Sequence, residues 1–423
     1  METTPYQPLD RVTANRLRHL AEGHGTPLWV YDAAQIRRNV SKLAAFDVIR
    51  YAQKANANTH VLALLRALGV KVDAVSGGEI ERALAAGFVP GRNSEDMVYT
   101  ADIFDRSTLK QVVALDIPVN VGSVSMLEQL GAVSPGHAVW LRINPGFGHG
   151  HSRKTNTGGP SSKHGIWHED LPAALSLIDR YGFDFVGLHM HIGSGADEAH
   201  LRKVCGAMVQ AAASVGRPVR RISTGGGLPI PYRTGEREAD VGQYFRCWDE
   251  ACREIAARQG TRPRLETEPG RYLIGNAGVL VAEVRAVKSM AGRHFTLVDA
   301  GMNDLVRPAM YGAYHRISLI PQDDALRALV DTVVGGPLCE SGDVFTQQAD
   351  SVLAPVQLPV PKVDDLLVIH DTGAYGASMS SQYNARPLAP EILFDGDLSR
   401  VIRRRQTTED LLALESSCES ACE

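Results

Sequence analysis

Lys54, His191, the triplet Gly225-Gly226-Gly227 and Glu268 each stand where a β-rich run gives way to polar residues and glycine. The alternation along VIRYAQKA turns Lys54 away from Tyr51 and Gln53, toward the interior of the predicted sheet and small neighbours. A lysine desolvated there has a lowered pKa and a lone pair able to attack an aldehyde. Taken alone, a lysine at a strand end more often snorkels to water. The glycine triplet lets backbone N–H groups converge on a phosphate with no side chain in the way, although three glycines also make an ordinary turn. Beside a Schiff-base lysine, it points to a phosphorylated aldehyde cofactor, with Ser194 of HIGSG as a further hydroxyl donor. Glu268, in EPGR, offers a carboxylate that could hold a pyridinium nitrogen protonated; a salt bridge to Arg271 is the plainer alternative.

His189 and His191 share one strand face, and HGH at 149–151 forms a second histidine pair, so a metal centre has to be weighed. Neither pair has a carboxylate at ligand spacing, and an imidazole over a cofactor ring accounts for His191. No metal is expected. The six cysteines show no CxxC pairing and are expected to be reduced; Cys418 and Cys422 lie in an acidic, serine-rich tail with no assigned role.

Eight β-rich runs position these residues: 48–55, 70–76, 97–101, 118–123, 138–145, 185–193, 219–227 and 264–271. Helical patterns alternate with them, as in SGGEIERALAAG, which starts on small and acidic residues and stops at Gly87. Eight strand–helix units predict a (β/α)8 TIM-type barrel spanning 35–278. Lys54, Ser76, Asn144, His191, the glycine triplet and Glu268 all fall at C-terminal strand ends, the face on which such barrels build active sites. The connection 146–167 is too polar and glycine-rich for a helix, which suggests a functional loop or lid. Beyond 278 the texture becomes β-rich, with a hairpin predicted across Ala291-Gly292. The strand-like TPLWVYD precedes the barrel and is assigned to this second domain, 1–34 plus 279–423.

A chain of 423 residues with 44% hydrophobic and 22% charged residues has the balance of a soluble two-domain protein. Its net charge of −4 offers no field for nucleic acid or an anionic membrane. Neither a signal peptide nor an apolar stretch of bilayer length is seen, and a cytoplasmic location is expected.

The motifs YAQKAN (51–56), SGGEIERA (76–83), HMHIGSG (189–195), STGGGLP (223–229), ETEPGR (266–271), DAGMNDLVRPAMYGAYH (299–315), GPLCESGD (336–343) and GAYGASMSSQYNARP (373–387) closely resemble those of bacterial diaminopimelate decarboxylases. That family belongs to the alanine-racemase-like fold type of pyridoxal 5'-phosphate (PLP) enzymes. The resemblance implies that Lys54 carries PLP, His191 stacks on its ring and Glu268 holds its nitrogen. It implies phosphate contacts from Gly227, Ser194, Gly270, Arg271 and Tyr375. Arg271, Arg307 and Tyr311 would bind the distal amino-acid end of the substrate, and Glu340 its amine. Cys339 would protonate the decarboxylated carbon from the neighbouring subunit of a homodimer whose active sites are shared across the interface. The implied reaction converts meso-diaminopimelate to L-lysine and carbon dioxide. CESGD and the arginines Arg271 and Arg307 argue against an ornithine or arginine decarboxylase, and the carboxylate of EPGR argues against a racemase. The second β-rich domain and Lys54 argue against a non-catalytic PLP carrier.

Overall fold

The computed structural model describes residues 6–148, 157–191 and 198–416. The chain divides into two compact units, one of Arg37–Pro229 with Glu238–Leu273, the other of the chain up to Ile36, Ile230–Arg237 and the chain from Ile274 onward. The segment Ile230–Arg237, although it lies between barrel strands in sequence, thus packs with the β-rich unit. No helix among the described residues is long and apolar enough to cross a membrane.

In chain order the strands are β1 (Leu28–Asp32), β2 (Val48–Ala52), β3 (Lys71–Ala74), β4 (Met97–Ala101), β5 (Val119–Val121), β6 (Ala138–Asn144), β7 (Ile166–Trp167), β8 (Asp184–His189), β9 (Arg221–Ser223) and β10 (Arg264–Thr267). They continue with β11 (Gly278–Met290), β12 (Arg293–Val298), β13 (Ile317–Ile320), β14 (Leu329–Gly335), β15 (Val356–Pro359), β16 (Leu366–Ile369), β17 (Glu391–Asp395) and β18 (Leu398–Arg403).

Eight of these, in the order β5-β4-β3-β2-β10-β9-β8-β6, pair in parallel, and the β5–β6 pairing closes the ring. This is the TIM-type barrel expected from the eight runs. Helices return the chain between most strands, and their starts are written locally. Asn58, Ser76, Asp105, Ser123 and Asp240 each accept a backbone N–H of the helix they open, a contact whose removal typically costs ~1 kcal/mol. Ser76 also shares a reciprocal capping arrangement with Glu79, whose carboxylate accepts from Val75 N at 2.8 Å. At the N-terminal end of the barrel, Arg50 and Glu266 form a fully buried ion pair at 2.9 Å, and Arg50 also donates to the carbonyls of Val72 and Glu95. These extra bonds offset the desolvation that an isolated buried pair would suffer.

The second unit is a mixed sheet in which β1 is central, antiparallel to β11 and parallel to β17. Leu28, Trp29, Val30 and Tyr31 of β1 are all buried, which is why TPLWVYD reads as a strand although it precedes the barrel. Its apolar face packs with Leu17, Leu20, Val281, Ile320, Val368 and Ile392. The β11–β12 hairpin turns through Ala291 and Gly292, both at positive φ, the pattern that matches the twist of the flanking strands.

Candidate active site

The C-terminal rim of the barrel gathers the residues singled out by type. Lys54 does not continue β2: the strand ends at Ala52, and Gln53–Ala55 form a single 3-10 turn. The turn leaves Lys54 exposed, so the desolvated amine expected from strand alternation is not what the fold provides. Its charge instead acts on Asp73, Glu79 and His191. The amine therefore stands at the mouth of the barrel with carboxylates below it.

Glu268 follows β10 directly and is buried. His189 Nε2 lies 2.8 Å from its Oε2, and Ser223 Oγ donates to its Oε1 at 2.7 Å. Burial alone would push this carboxyl up. The His189 imidazole, the Ser223 hydroxyl and the Arg50 charge outweigh that effect and hold it below the ordinary carboxylate range. Asp73, on β3, goes the other way: burial and the nearby Glu268 charge push it well up, against the Thr100 hydroxyl and Lys54. Asp73 Oδ1 is buried with no hydrogen-bond partner among the described residues. The two carboxyls are thus shifted in opposite directions, Glu268 down and Asp73 up.

His191 sits against the glycine triplet. Gly226 N donates to its Nδ1 at 3.2 Å, so the neutral ring carries its proton on Nε2. Burial, and then the Lys54 and Arg142 charges, push this imidazole well below its usual range. Two of the three glycines leave no room for a side chain: a Cβ on Gly225 would stand 2.5 Å from His191 Cβ, and one on Gly226 would stand 2.6 Å from the Glu268 carbonyl oxygen. Gly225 and Gly227 also have positive φ. Gly270 lies against the Lys54 turn, where a Cβ would come within 3.2 Å of the Ala52 carbonyl and Ala55, and Arg271 begins the short helix that follows.

The loop after β6 is anchored at its base. The Asn144 side chain donates to the carbonyls of Gly159 and His164 and accepts from Gly146 N and Gly159 N. Asp102 takes His164 Nδ1 and Gly165 N, and Thr157 Oγ1 donates to the His191 carbonyl at 2.9 Å. Ser194, the pair His149 and His151, and Cys418 and Cys422 lie outside the described residues.

In the β-rich unit Arg307 is buried at the start of a one-turn helix, Arg307–Tyr311, rather than on the surface. Tyr311 is exposed at the end of that helix. Cys339 is an exposed thiol whose backbone N–H donates to Asn384 Oδ1 at 3.0 Å, and neighbouring Glu340 is exposed as well. Tyr375 is held at φ 57°, a left-handed conformation that costs a non-glycine residue energy and tends to mark functional positions. Asp73, His189, Ser223 and the partners of Arg307 were not singled out for these roles by motif. Of these, Asp73 leaves a trace in sequence as a lone carboxylate within VKVDAVS.

A closed parallel barrel whose rim carries a lysine, an imidazole, a side-chain-free glycine cradle and an ionised carboxylate defines the barrel class of PLP-dependent enzymes. Residues 33–275 match the family model for the pyridoxal-binding domain of pyridoxal-dependent decarboxylases. Diaminopimelate decarboxylase of Streptomyces coelicolor is 60% identical over 402 residues, covering 95% of this chain and 91% of that protein. Its counterpart in Escherichia coli K12 is 59% identical over 409 residues, covering 96% and 97%. A crystal structure of a diaminopimelate decarboxylase superposes with a TM-score of 0.93 at 56% identity, covering 97% of this chain and 99% of that one. That of the Helicobacter pylori enzyme complexed with L-lysine gives 0.84 at 30% identity, covering 95% and 99%. The chain belongs to the diaminopimelate decarboxylases.

Proposed function

We infer that this protein decarboxylates meso-diaminopimelate to L-lysine and carbon dioxide with PLP as cofactor, the last step of lysine biosynthesis. The observation that carries the reading is the buried Glu268 carboxyl held between His189 Nε2 and Ser223 Oγ, on the same barrel rim as Lys54. Near-complete coverage of diaminopimelate decarboxylases at 59–60% identity supports the substrate.

The bound cofactor supplies an electron sink for the pair left behind when carbon dioxide departs. Lys54 would provide the amine that holds the cofactor. Glu268, its pKa lowered by His189 and Ser223, would hold the ring nitrogen in its protonated form, and His191 would pack against the ring. Gly227, Ser194, Gly270, Arg271 and Tyr375 would hold the phosphate. Arg271, Arg307 and Tyr311 grip the distal amino-acid end of the substrate, for which a planar guanidinium suits a carboxylate, and Glu340 pairs with the distal amine. Cys339, an exposed thiol, donates the proton that completes lysine, delivered from the other subunit of a homodimer with shared active sites. On this reading 35–278 forms the cofactor domain, 1–34 with 279–423 contribute to the active site and dimer interface, and the enzyme works in the cytoplasm with no nucleic-acid partner.

Carbon dioxide release from meso-diaminopimelate, compared with ornithine and arginine under the same conditions, tests the assignment. Release from meso-diaminopimelate alone is expected; preference for ornithine or arginine would overturn it.

A further inference from the structure

Arg307 is aimed by two side chains that no motif role covers. Its Nη1 donates to Tyr232 Oη at 3.0 Å and to His315 Nε2 at 3.1 Å, so both hydrogens of that nitrogen are committed. A guanidinium only donates, so His315 Nε2 must be the unprotonated nitrogen and Nδ1 must carry the hydrogen. That hydrogen has its acceptor: Nδ1 lies 2.8 Å from the His370 carbonyl oxygen. His315 is thereby fixed as one neutral tautomer, with its lone pair pointed at Arg307.

Further contacts stiffen the arrangement. The Tyr232 ring lies 5.1 Å from the guanidinium carbon and meets the His315 ring edge-on at 5.4 Å. The backbone that supplies Tyr232 is closed by Glu236, which accepts from Tyr232 N and Arg233 N. The turn that returns His315 to Arg307 passes through Gly312, at φ 60°, where a Cβ would run into the backbone of Gln348 and Ala349. His370 is itself locked, because Nδ1 accepts from Arg316 and Nε2 donates to Ser318 Oγ; burial, with Arg316 second, pushes its imidazole down to about 3. The carbonyl that orients His315 therefore sits on a residue whose own side chain is held in place.

We propose that His315 and Tyr232 are positioning residues that set the plane of the Arg307 guanidinium, and so determine specificity for a substrate with a distal carboxylate. A guanidinium free to rotate would meet that carboxylate through one N–H rather than two. This inference rests on the proposed substrate role of Arg307.

The test uses the PLP-loaded enzyme with steady-state kinetics on meso-diaminopimelate, and the absorbance of the bound cofactor as a control. His315→Leu is expected to raise KM ~10- to 100-fold, with cofactor content unchanged and a smaller effect on kcat. His315→Gln, whose amide oxygen can accept from Arg307, should recover KM to within a few-fold of wild type. In an Arg307→Lys background, His315→Leu should add less than about threefold, because residues acting through one group are not additive. Tyr232→Phe, which keeps the ring and removes only the hydroxyl, should raise KM several-fold and serves where His315→Leu does not fold. If Arg307→Lys raises KM but His315→Leu and Tyr232→Phe do not, or if their losses are equal in both backgrounds, the positioning role is wrong while the substrate role of Arg307 stands. An Arg307→Lys enzyme with wild-type KM removes both.

Discussion

His189 Nε2 lies 2.8 Å from Glu268 Oε2, joining two buried side chains, one at the end of β8 and one just past β10, strands that are neighbours only through β9. The contact gives Glu268 a depressed pKa, and the sign of its pH dependence follows. A carboxyl whose folded-state pKa falls from 4.5 toward about 2 contributes stability above 4.5 that is lost as pH falls toward the lower value. His189→Leu removes the partner that offsets burial. Urea unfolding of the variant at pH 7 should show a loss of about 1–3 kcal/mol, with a weaker fall in stability between pH 5 and pH 3 than in wild type. An unchanged acid limb would mean that His189 does not hold the charge.

Asp73 gives the opposite sign. With its folded-state pKa raised by burial and by Glu268, its ionisation opposes folding once pH exceeds the ordinary value of 3.8. Asp73→Asn keeps the shape and an acceptor for Thr100 while removing the charge. Its midpoint of thermal unfolding should therefore match or exceed that of wild type at pH 8, and the advantage should vanish at pH 3. Destabilisation at pH 8 would show that the ionised form is the supported one.

Asn144 holds both ends of the 146–165 connection through four hydrogen bonds. Asn144→Ala leaves those backbone groups without their partner, at about 1–3 kcal/mol for the anchor. Limited proteolysis should then cut within 146–167 several-fold faster than in wild type. A substrate analogue should protect the wild-type segment if it acts as a lid, and identical cleavage with and without analogue would end the lid assignment.

Much of the fold was legible in the chain because its signals are local. The eight barrel runs, the small and acidic residues that open the helix after Ser76, and the Ala291-Gly292 hairpin each occupy a few adjacent positions. The polar strand ends were legible for the same reason. The burial expected for Lys54 does not hold because alternation was carried one turn too far: β2 stops at Ala52, and the 3-10 turn that follows leaves the side chain exposed. The partners of the functional groups left no local trace. Glu268 meets His189 across 79 positions, and Arg307 meets Tyr232 across 75, from a segment that sequence order assigns to the barrel.

Arg307→Lys keeps the positive charge but replaces a planar fork by a point charge. With Arg307 as a carboxylate binder, kcat/KM for meso-diaminopimelate should fall ~100-fold, about the value of a strong charge-assisted contact. Thermal stability should change much less. Equal kinetics in wild type and variant would take Arg307 out of the substrate site.

The central claim is that Lys54 is the amine that holds the cofactor. Borohydride reduction of the holoprotein, followed by proteolysis and mass mapping, reads it directly. A single phosphopyridoxyl group on the peptide containing Lys54 is expected. Release of unattached cofactor after reduction, or its attachment to another lysine, would contradict it.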